Sequence, residues 1–429
     1  MLEDLDTIPW SQLTHAYGSA EDVPGLLREL RTPAPGKEEE KEPDPSKEED
    51  EEAPLWCLFG NIWHQGTVYE AMAYAVPFLL ELVSDSQTPE RTGILQLLAS
   101  IAKSKFTTAN VREPGWAVKA HAAVAAGFAV LAAIAKEETE VRLAAAHVLA
   151  FLPEQAEVVE PLLQDLLHAE SGPAERAGFL LLLGQLGGKS DAALAMLTSA
   201  LQSADLSQRW AAAYSMALLR PQPLSDFARE AIVEAILAED FEENFRELPW
   251  DAPGDIDCEE LYACLDASSR EQAATACIGK IESGKATHAT ISIILGLLFP
   301  MTRAGGSSRL KAGDLSSLQI NAIRAMARAM EGGKRIFSGA FPQWGLPDTR
   351  REWRDLAAGR DPAPMDMTLP ILGEPANPRR AIRADKLKPK QRVLHRTFGL
   401  GTVIETKRHS SSTELTVDFN DEGITKLVL

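Results

Sequence analysis

The amino-acid sequence predicts a mostly α-helical protein, in which an α-solenoid of stacked helical hairpins is followed by a small β-barrel. Two observations predict this fold class. Three helical patterns share one register, with Arg142, Arg176 and Arg209 separated by 34 and 33 residues, and such a period is typical of stacked hairpins that cannot bury their apolar faces alone. After about residue 385 the apolar pattern alternates instead, as expected for β-strands.

Three regions are predicted along the 429 residues: the solenoid at 1–335, a proline-rich linker with a short helix at 336–385, and the barrel at 386–429. The net charge of −19 is divided unevenly, because residues 1–300 carry −27 and residues 301–429 carry +8. The acidic total excludes a protein that grips nucleic acid over its whole surface. The basic C-terminal part is free to bind a polyanion.

The N-terminal segment combines aromatic and polar residues in two short motifs. The first contains Trp10, His15, Tyr17 and Asp22, and the second reads NIWHQGTVYEA at 61–71. These motifs resemble the opening of a group of uncharacterised bacterial HEAT-repeat proteins. The resemblance implies a helical-repeat fold and no particular activity.

The second motif lies at a predicted turn between helices. We expect a partner-binding site there, formed by His64, Gln65 and Tyr69. The alternative is structural, since His64 and Gln65 are able to hydrogen-bond helix ends across the first hairpin.

An acidic insertion separates the two motifs. Residues 32–54 contain ten acids, three lysines and five prolines, and no apolar residue larger than alanine. Such a segment buries too little apolar surface to offset the entropy of ordering, so it is predicted to be a disordered loop. The alternative is a regulatory or partner-capturing acidic segment.

The helices that carry the repeated arginines read VRLAAAHVLA at 141–150, ERAGFLLLLG at 175–184 and QRWAAAYSMA at 208–217. Second helices follow at 158–167 and 192–201. Small residues two to four places after each arginine predict that neighbouring helices approach closely. The pattern resembles bacterial HEAT-like repeats, which implies the solenoid fold over residues 1–335.

A second acidic stretch, at 224–260, contains thirteen acids and two arginines. Unlike the insertion, it also carries apolar residues at helical spacing, including Phe227 and Leu237, so it is predicted to be an amphipathic helix followed by a long ordered loop or lid. We expect its acidic face to steer a basic protein partner. The candidate residues are Glu230, Glu234, Glu239, Asp240 and Glu243.

The C-terminal region carries the pattern RVxHxxFGxGxV at 392–403, closed by VxF at 417–419. It resembles the Tudor-like module of UvrD-type helicases and, more distantly, the polymerase-binding domain of CarD-type regulators. The resemblance implies an SH3- or Tudor-like barrel that binds a protein partner, notably RNA polymerase, or nucleic acid. The chain departs from these families at 388–391, where KPKQ stands in place of a usual Gly-Asp pair, and the helicase motor motifs are absent.

Residues 379–429 carry eleven bases and six acids, so the barrel is predicted to bind through a basic face. That face is open to three partners: the acidic helices of the same chain, another protein, or the phosphates of a nucleic acid. The candidate residues are Arg392, His395, Arg396, Phe398, Lys407, Arg408 and Lys426.

The sequence offers no recognisable chemistry. Phosphate-binding, zinc-protease and nucleophile-elbow motifs are absent, and the eight histidines are scattered. Cys258, Cys264 and Cys277 have the spacing of buried thiols rather than of metal ligands. We therefore expect no enzyme activity, cofactor or metal. The acidic N-terminus and the lack of a long apolar run predict a cytoplasmic protein that contacts no membrane.

The function predicted from these features is a non-enzymatic protein-interaction scaffold or adaptor. One partner binds the solenoid surface and a second binds the barrel. Two alternatives stay open: an immunity-type inhibitor of a toxin, and a transcription or repair accessory that binds RNA polymerase or nucleic acid through the barrel. The partner and the oligomeric state are not specified by the sequence.

Overall fold

A computed structural model gives the architecture of two compact units, Met1–Cys264 and Leu265–Leu429. The residues that the structure describes are 2–32, 53–64, 67–106, 114–137, 140–188, 190–219, 224–238, 248, 261–262, 264–299, 310–331, 344–347, 350–361, 371–372, 387–395, 399–408, 413–419 and 423–428. The predicted acidic insertion therefore lies outside the described residues, except for positions 32, 53 and 54.

The first unit is helical and begins with two short antiparallel ribbons. The ribbons are β1 (Thr14–His15) with β2 (Gly18–Ser19) and β3 (Trp63–His64) with β4 (Thr67–Val68). The helices are α1 (Val23–Glu29), α2 (Pro54–Asn61), α3 (Glu70–Ser84), α4 (Arg91–Lys103), α5 (Pro114–Ala126), α6 (Phe128–Ile134), α7 (Val141–Ala150), α8 (Ala156–Ala169), α9 (Pro173–Leu186), α10 (Asp191–Ala200), α11 (Leu206–Leu219) and α12 (Asp226–Leu237).

Local sequence signals set several of these boundaries. The hydroxyl of Ser190 accepts a hydrogen bond from the backbone of Ala193 and so caps α10, and Ser225 caps α12 in the same way. Gly187 ends α9 in the left-handed conformation, with φ 81°. These residues fix where the helices begin and end before any tertiary packing is considered.

The predicted stack of hairpins is confirmed. Helix α9 packs between α7 and α11, and all three carry the shared register. Their faces are almost entirely buried, as shown by Ala145, Leu180 and Ala212, which are at most 1% exposed. Each of these helices alone has too little volume for a core, so the core is the continuous layer that the three form together.

Two of the repeated arginines, Arg176 and Arg209, bind backbone carbonyls just before their own helix, whereas Arg142 forms an ion pair with Glu170 at the end of α8. Nη1 of Arg176 donates to the carbonyls of Leu167 and Glu170, both at 2.9 Å. Nη1 of Arg209 donates in the same way to Ser203 and Ala204, at 2.9 and 3.0 Å. The last carbonyls of a helix have no partner within it, so the arginine supplies a donor at the same point of successive repeats.

The second unit contains helices α13 (Ala267–Glu282), α14 (His288–Leu298), α15 (Ser317–Glu331) and α16 (Arg350–Ala357), followed by a five-stranded sheet. Helix α16 is the short helix predicted within 336–385. It packs on α15 and buries Trp353 and Leu356, which are at most 1% exposed. The predicted boundaries at 335 and 386 both fall inside the second unit and stay predictions.

Among the described residues, no single helix has the length and apolar character needed to cross a membrane. Helices α5 and α6 reach that length and composition only as a pair, and they are bent by 56° at Gly127.

A partly exposed histidine in α7, whose Nδ1 is buried, makes the stability of the first unit depend on pH. Nδ1 of His147 is buried, the ring packs edge-on against Phe151, and burial lowers the pKa of His147 from 6.5 to about 3, with the charge of Lys103 as a further cause. The folded protein therefore keeps this ring neutral, whereas the unfolded chain binds a proton as the pH falls below 6.5. The associated stability is complete above pH 6.5 and is lost progressively toward pH 3.

We expect the wild-type protein to lose about 2 kcal/mol more stability than His147→Gln when the pH falls from 6.5 to 4.5. The measurement is the free energy of urea unfolding of both proteins at the two pH values. The change in unfolding free energy between the two pH values is compared for the two proteins. This comparison removes the contribution of the carboxylates, which titrate in both proteins. Parallel pH dependences would contradict the neutral ring.

Candidate interaction surfaces

The C-terminal sheet has strand order β5-β6-β7-β8-β9, with β5 (Ile371–Leu372), β6 (Arg392–His395), β7 (Gly399–Arg408), β8 (Thr413–Phe419) and β9 (Gly423–Val428). Strands β6 to β9 are antiparallel, and β5 pairs with β6 in parallel. The sheet curls into a half-barrel, which confirms the predicted SH3- or Tudor-like module.

Apolar side chains on one face of the sheet form its core. Leu427 packs against this core. The residues of the core are at most 4% exposed: Leu387, Val393, Val403, Leu415 and Val417. The alternation predicted from the sequence therefore places every second residue inside, except in β7, where the register shifts between Val403 and Glu405.

Among the residues that the structure describes, the outward face carries bases and acids in equal number. The strand register puts Arg392, Lys407 and Lys426 on this face. It also puts Glu405, Glu414 and Asp418 there.

The lysines of this face are paired. Nζ of Lys407 lies 3.2 Å from Glu405, and Nζ of Lys426 lies 3.4 Å from Glu414. The described strands thus present a mixed-charge surface rather than a continuous basic one. Such a surface is less favourable for a phosphate backbone, because each carboxylate repels it.

A tight turn precedes β6 at 388–391. The backbone N–H of Gln391 donates to the carbonyl of Lys388 at 3.1 Å, and Lys390 has φ 70°. With Pro389 at the second position, this is the arrangement of a type II turn, whose third position favours glycine. The turn is fastened to β7, because Lys390 N–H donates to the carbonyl of Val403 at 2.7 Å and Val403 N–H donates to Gln391 at 2.9 Å.

The structure places most of the predicted barrel residues on this sheet. Arg392 and His395 are the first and last residues of β6, and Arg408 ends β7. Arg396 and Phe398 lie outside the described residues. Sequence reasoning missed two bases as site residues, Lys388 and Lys390, although the KPKQ departure is the signal that marks them.

In the first unit, helix α12 presents an exposed stripe with apolar ends and an acidic middle. Phe227 and Leu237 are 56% and 42% exposed, and Glu230 and Glu234 lie between them in exposed positions. The spacing of three, four and three residues puts all four on one face. We call this set the α12 stripe. The predicted residues Glu239, Asp240 and Glu243 lie outside the described residues.

One member of the α12 stripe also has a structural role. Nη2 of Arg209 lies 2.7 Å from a carboxylate oxygen of Glu234, so this pair links α11 to α12. Glu230 has no such recorded link within the described part of the chain. Glu230 is therefore the residue whose charge is available to a partner.

The N-terminal motifs meet in space. Ala16 N–H donates to the carbonyl of Asn61 at 2.9 Å, and the side-chain amide of Asn61 donates to Asp22 at 2.6 Å. Of the predicted site, His64 lies in β3 opposite Thr67 and Gln65 lies outside the described residues.

Tyr69, the third residue of that predicted site, precedes α3 and is partly exposed. A partner-binding role for His64, Gln65 and Tyr69 stays a prediction.

His15 completes the junction between the motifs. Its Nδ1 accepts the backbone N–H of Tyr17 at 3.0 Å, so Nε2 carries the proton and donates to Asp22 at 2.9 Å. Both ring nitrogens are occupied and the side chain is 6% exposed. His15 therefore orients Asp22, which accepts the hydrogen bond from Asn61 of the second motif, and it is not positioned as a general base.

The described residues contain no group of three or more histidine, cysteine, aspartate or glutamate side chains arranged to hold a metal ion. Cys277 is buried in α13, and burial raises the pKa of its thiol to about 12. Cys264 is partly buried, and Cys258 lies outside the described residues. At neutral pH Cys277 is an unreactive thiol that fills the core.

Comparison with known proteins gives one finding. The family model of the PcrA/UvrD tudor domain matches residues 390–429, which is the part of the chain that forms β6 to β9. No curated protein and no solved structure matches the chain.

Proposed function

We propose that the protein is a non-enzymatic adaptor that binds one partner through the α12 stripe and a second through the C-terminal sheet. The observation that carries the proposal is the match of residues 390–429 to the PcrA/UvrD tudor domain, because a module of this kind, with a core of its own, is an interaction module. The two surfaces belong to different compact units, so each is able to engage a partner of its own.

The charge pattern of the sheet favours a protein as its partner. The outward face offers three bases and three acids, with two of the lysines already paired. A nucleic acid presents one sign of charge, whereas a protein surface supplies both signs and apolar groups. A protein partner is able to pair with both the bases and the acids of this face, so that no carboxylate of the face lies opposite a phosphate.

The α12 stripe suits a basic partner with an apolar pocket. Large apolar side chains that are more than half exposed, such as Phe227, are typical anchors of protein interfaces. Glu230 adds charge that attracts a basic surface and accelerates association. The stripe therefore combines an anchor with a steering charge on one rigid helix.

Affinity capture of the full-length protein from its native cells, followed by mass spectrometry, tests the proposal. We expect the wild-type protein to capture two sets of partner proteins. The double variant Phe227→Ala/Glu230→Lys is expected to lose the first set, and variants with substitutions in the C-terminal sheet are expected to lose the second. Glu234 is left unchanged because its substitution would also break the contact with Arg209. Capture of the same proteins by the wild type and by both variants would overturn the two-surface adaptor.

For a captured partner of the first unit, we expect Phe227→Ala to weaken binding at least about tenfold, since a central aromatic anchor contributes roughly 2 kcal/mol. Val158→Ala on α8 is the matched control, because Val158 is 54% exposed and lies outside the stripe. The dissociation constants of both variants are measured by titration calorimetry. Equal affinities for the two variants would exclude Phe227 as an anchor.

A second candidate function is a transcription or repair accessory that binds RNA polymerase or nucleic acid. The tudor match favours it, because the modules that this segment resembles occur in proteins that act on nucleic acid. Enrichment of RNA polymerase by the wild-type protein but not by a variant lacking residues 387–429 would support this function. Equal recovery of polymerase by both proteins would exclude the sheet as its binding site.

A further inference from the structure

Three bases at the start of the sheet differ from the lysines of its outward face. Lys388, Lys390 and Arg392 are exposed, and within the described part of the chain none of their side chains forms an ion pair. Lys407 and Lys426, by contrast, each lie beside a glutamate. The available positive charge of the described sheet is therefore concentrated at the turn 388–392.

Lys390 occupies its position at a conformational cost. Its φ of 70° lies in the left-handed region, which is unfavourable for a residue with a Cβ and costs glycine nothing. Glycine is the residue that the turn favours on backbone grounds. A strained residue that persists in an exposed turn points to a use for its side chain.

An exposed apolar residue adjoins the turn. Lys390 N–H donates to the carbonyl of Val403 at 2.7 Å, so the turn is fastened to the residue that precedes Ile404. The pairing of β7 with β8 shifts register between Val403 and Glu405, and Ile404 stands at this irregularity with 45% of its surface exposed. The bases at the start of β6 and an isoleucine in the middle of β7 are thus neighbours.

We propose that Lys388, Lys390, Arg392 and Ile404 form a recognition site for an acidic protein segment that carries an apolar side chain. The proposal rests on the function proposed above and specifies the chemistry of the second partner. Carboxylates of the segment pair with the three bases, and its apolar side chain covers Ile404.

A nucleic acid fits this site less well than an acidic segment. Three bases neutralise few phosphates, so a nucleic acid gains little from counterion release at this site. The exposed Ile404 would also gain no binding energy from contact with the polar backbone of a nucleic acid. An acidic segment, in contrast, matches both the charge and the apolar neighbour.

The test uses Lys390→Gly in the full-length protein, because the substitution has opposite effects on folding and on binding. The probe is a fluorescein-labelled twelve-residue peptide of Glu-Glu-Leu repeats, followed by fluorescence anisotropy. We expect binding to weaken about fivefold. We also expect exchange of the Val403 amide hydrogen to slow about fivefold, because the strain is removed.

Two further variants complete the experiment. Ile404→Ser is expected to weaken binding of the same peptide about fivefold without slowing amide exchange. Lys311→Gly is the charge-matched control, since Lys311 is an exposed lysine of the same unit whose φ is ordinary, and it is expected to leave peptide binding unchanged.

Three results would overturn the site. The first is peptide binding that Lys390→Gly leaves unchanged. The second is a loss for Lys407→Gln as large as that for Lys390→Gly, which would place the site at the paired lysines Lys407 and Lys426 rather than at the turn. The third is tighter binding of a labelled twenty-base-pair DNA duplex that the same variants abolish, which would make it a phosphate site. Capture of a cellular partner that survives all these variants would leave the adaptor function standing and remove this inference alone.

Discussion

Replacing Gly184 by alanine is expected to destabilise the first unit by about 3 kcal/mol, because the substitution overfills the contact between α9 and α11. A Cβ on Gly184 would lie 2.7 Å from the Cα of Ser215, a backbone atom that no side-chain rotation moves. The two helices would have to separate. Their separation would also lengthen the buried hydrogen bond, 2.8 Å long, from the Ser215 hydroxyl to the carbonyl of Leu180.

Gly25→Ala is the matched control for this substitution. Gly25 lies in α1 of the same unit, and nothing lies within 4 Å of the position its Cβ would take. We expect this variant to be neutral or more stable by up to about 1 kcal/mol, because alanine restricts the unfolded chain and favours the helix. Urea unfolding followed by circular dichroism compares the two variants with the wild type. A Gly184→Ala protein as stable as Gly25→Ala would show that α9 and α11 are not in close contact.

The sequence predicts the close packing of the repeat but not its tightest point. Small residues just after each arginine indicate close helices, and Gly178 is one of them. A Cβ on Gly178 would meet only the ends of the flexible Leu143 and Leu248 side chains, at 3.1 Å. The close approach of one helix to a backbone atom of another occurs at Gly184 instead, opposite the Cα of Ser215. Its position depends on the crossing of two helices, which the periodicity of either helix leaves open.

The candidate surfaces were predictable to the extent that they depend on local pattern. Alternation places Lys426 outside the core, as the sequence indicates, whereas Lys407 faces outward only because the register shifts at Ile404. Their pairing with Glu405 and Glu414 depends on strand register and on the irregularity at Ile404, which no local pattern specifies. A count of bases therefore predicts a basic face where the fold forms a mixed one.

Helix α12 shows the same distinction between pattern and packing. Its helical spacing predicts an amphipathic helix, and Ile232 and Ile236 are buried as that spacing requires. The spacing alone does not say that Phe227 and Leu237, at the ends of the helix, are exposed. Their exposure depends on how far the neighbouring helices extend. This is why the apolar ends of the α12 stripe follow from the structure and not from the sequence.

The side chain of Arg91 joins three parts of the first unit, so its removal is expected to be among the most destabilising single changes. Nε of Arg91 donates to the carbonyl of Val83 at 2.9 Å, at the end of α3. Its two terminal nitrogens donate to the two carboxylate oxygens of Glu137, at 2.9 and 2.8 Å. The side chain of Arg91 is 9% exposed and so is shielded from water, whereas that of Glu137 is 34% exposed.

We expect Arg91→Met to destabilise the first unit by about 3 kcal/mol, because methionine fills similar volume but leaves the Val83 carbonyl and the Glu137 carboxylate without their donor. Arg28→Met is the matched control. The ion pair of Arg28 with Asp6 has side-chain exposures of 47% and 78%, and such exposed pairs contribute less than about 1 kcal/mol. Urea unfolding of both variants at pH 7 gives the two free energies.

The pH dependence of the Arg91 variant separates a lost ion pair from a simple packing defect. The hydrogen bond from Arg91 is the main cause that holds the pKa of Glu137 below its usual value of 4.5. A lowered carboxyl pKa stabilises the folded state above the ordinary pKa, and this stability is lost as the pH falls through the lowered one. The wild type has this contribution and Arg91→Met lacks it. The difference in unfolding free energy between them should therefore narrow as the pH falls below 4.5, whereas a packing defect would keep it constant.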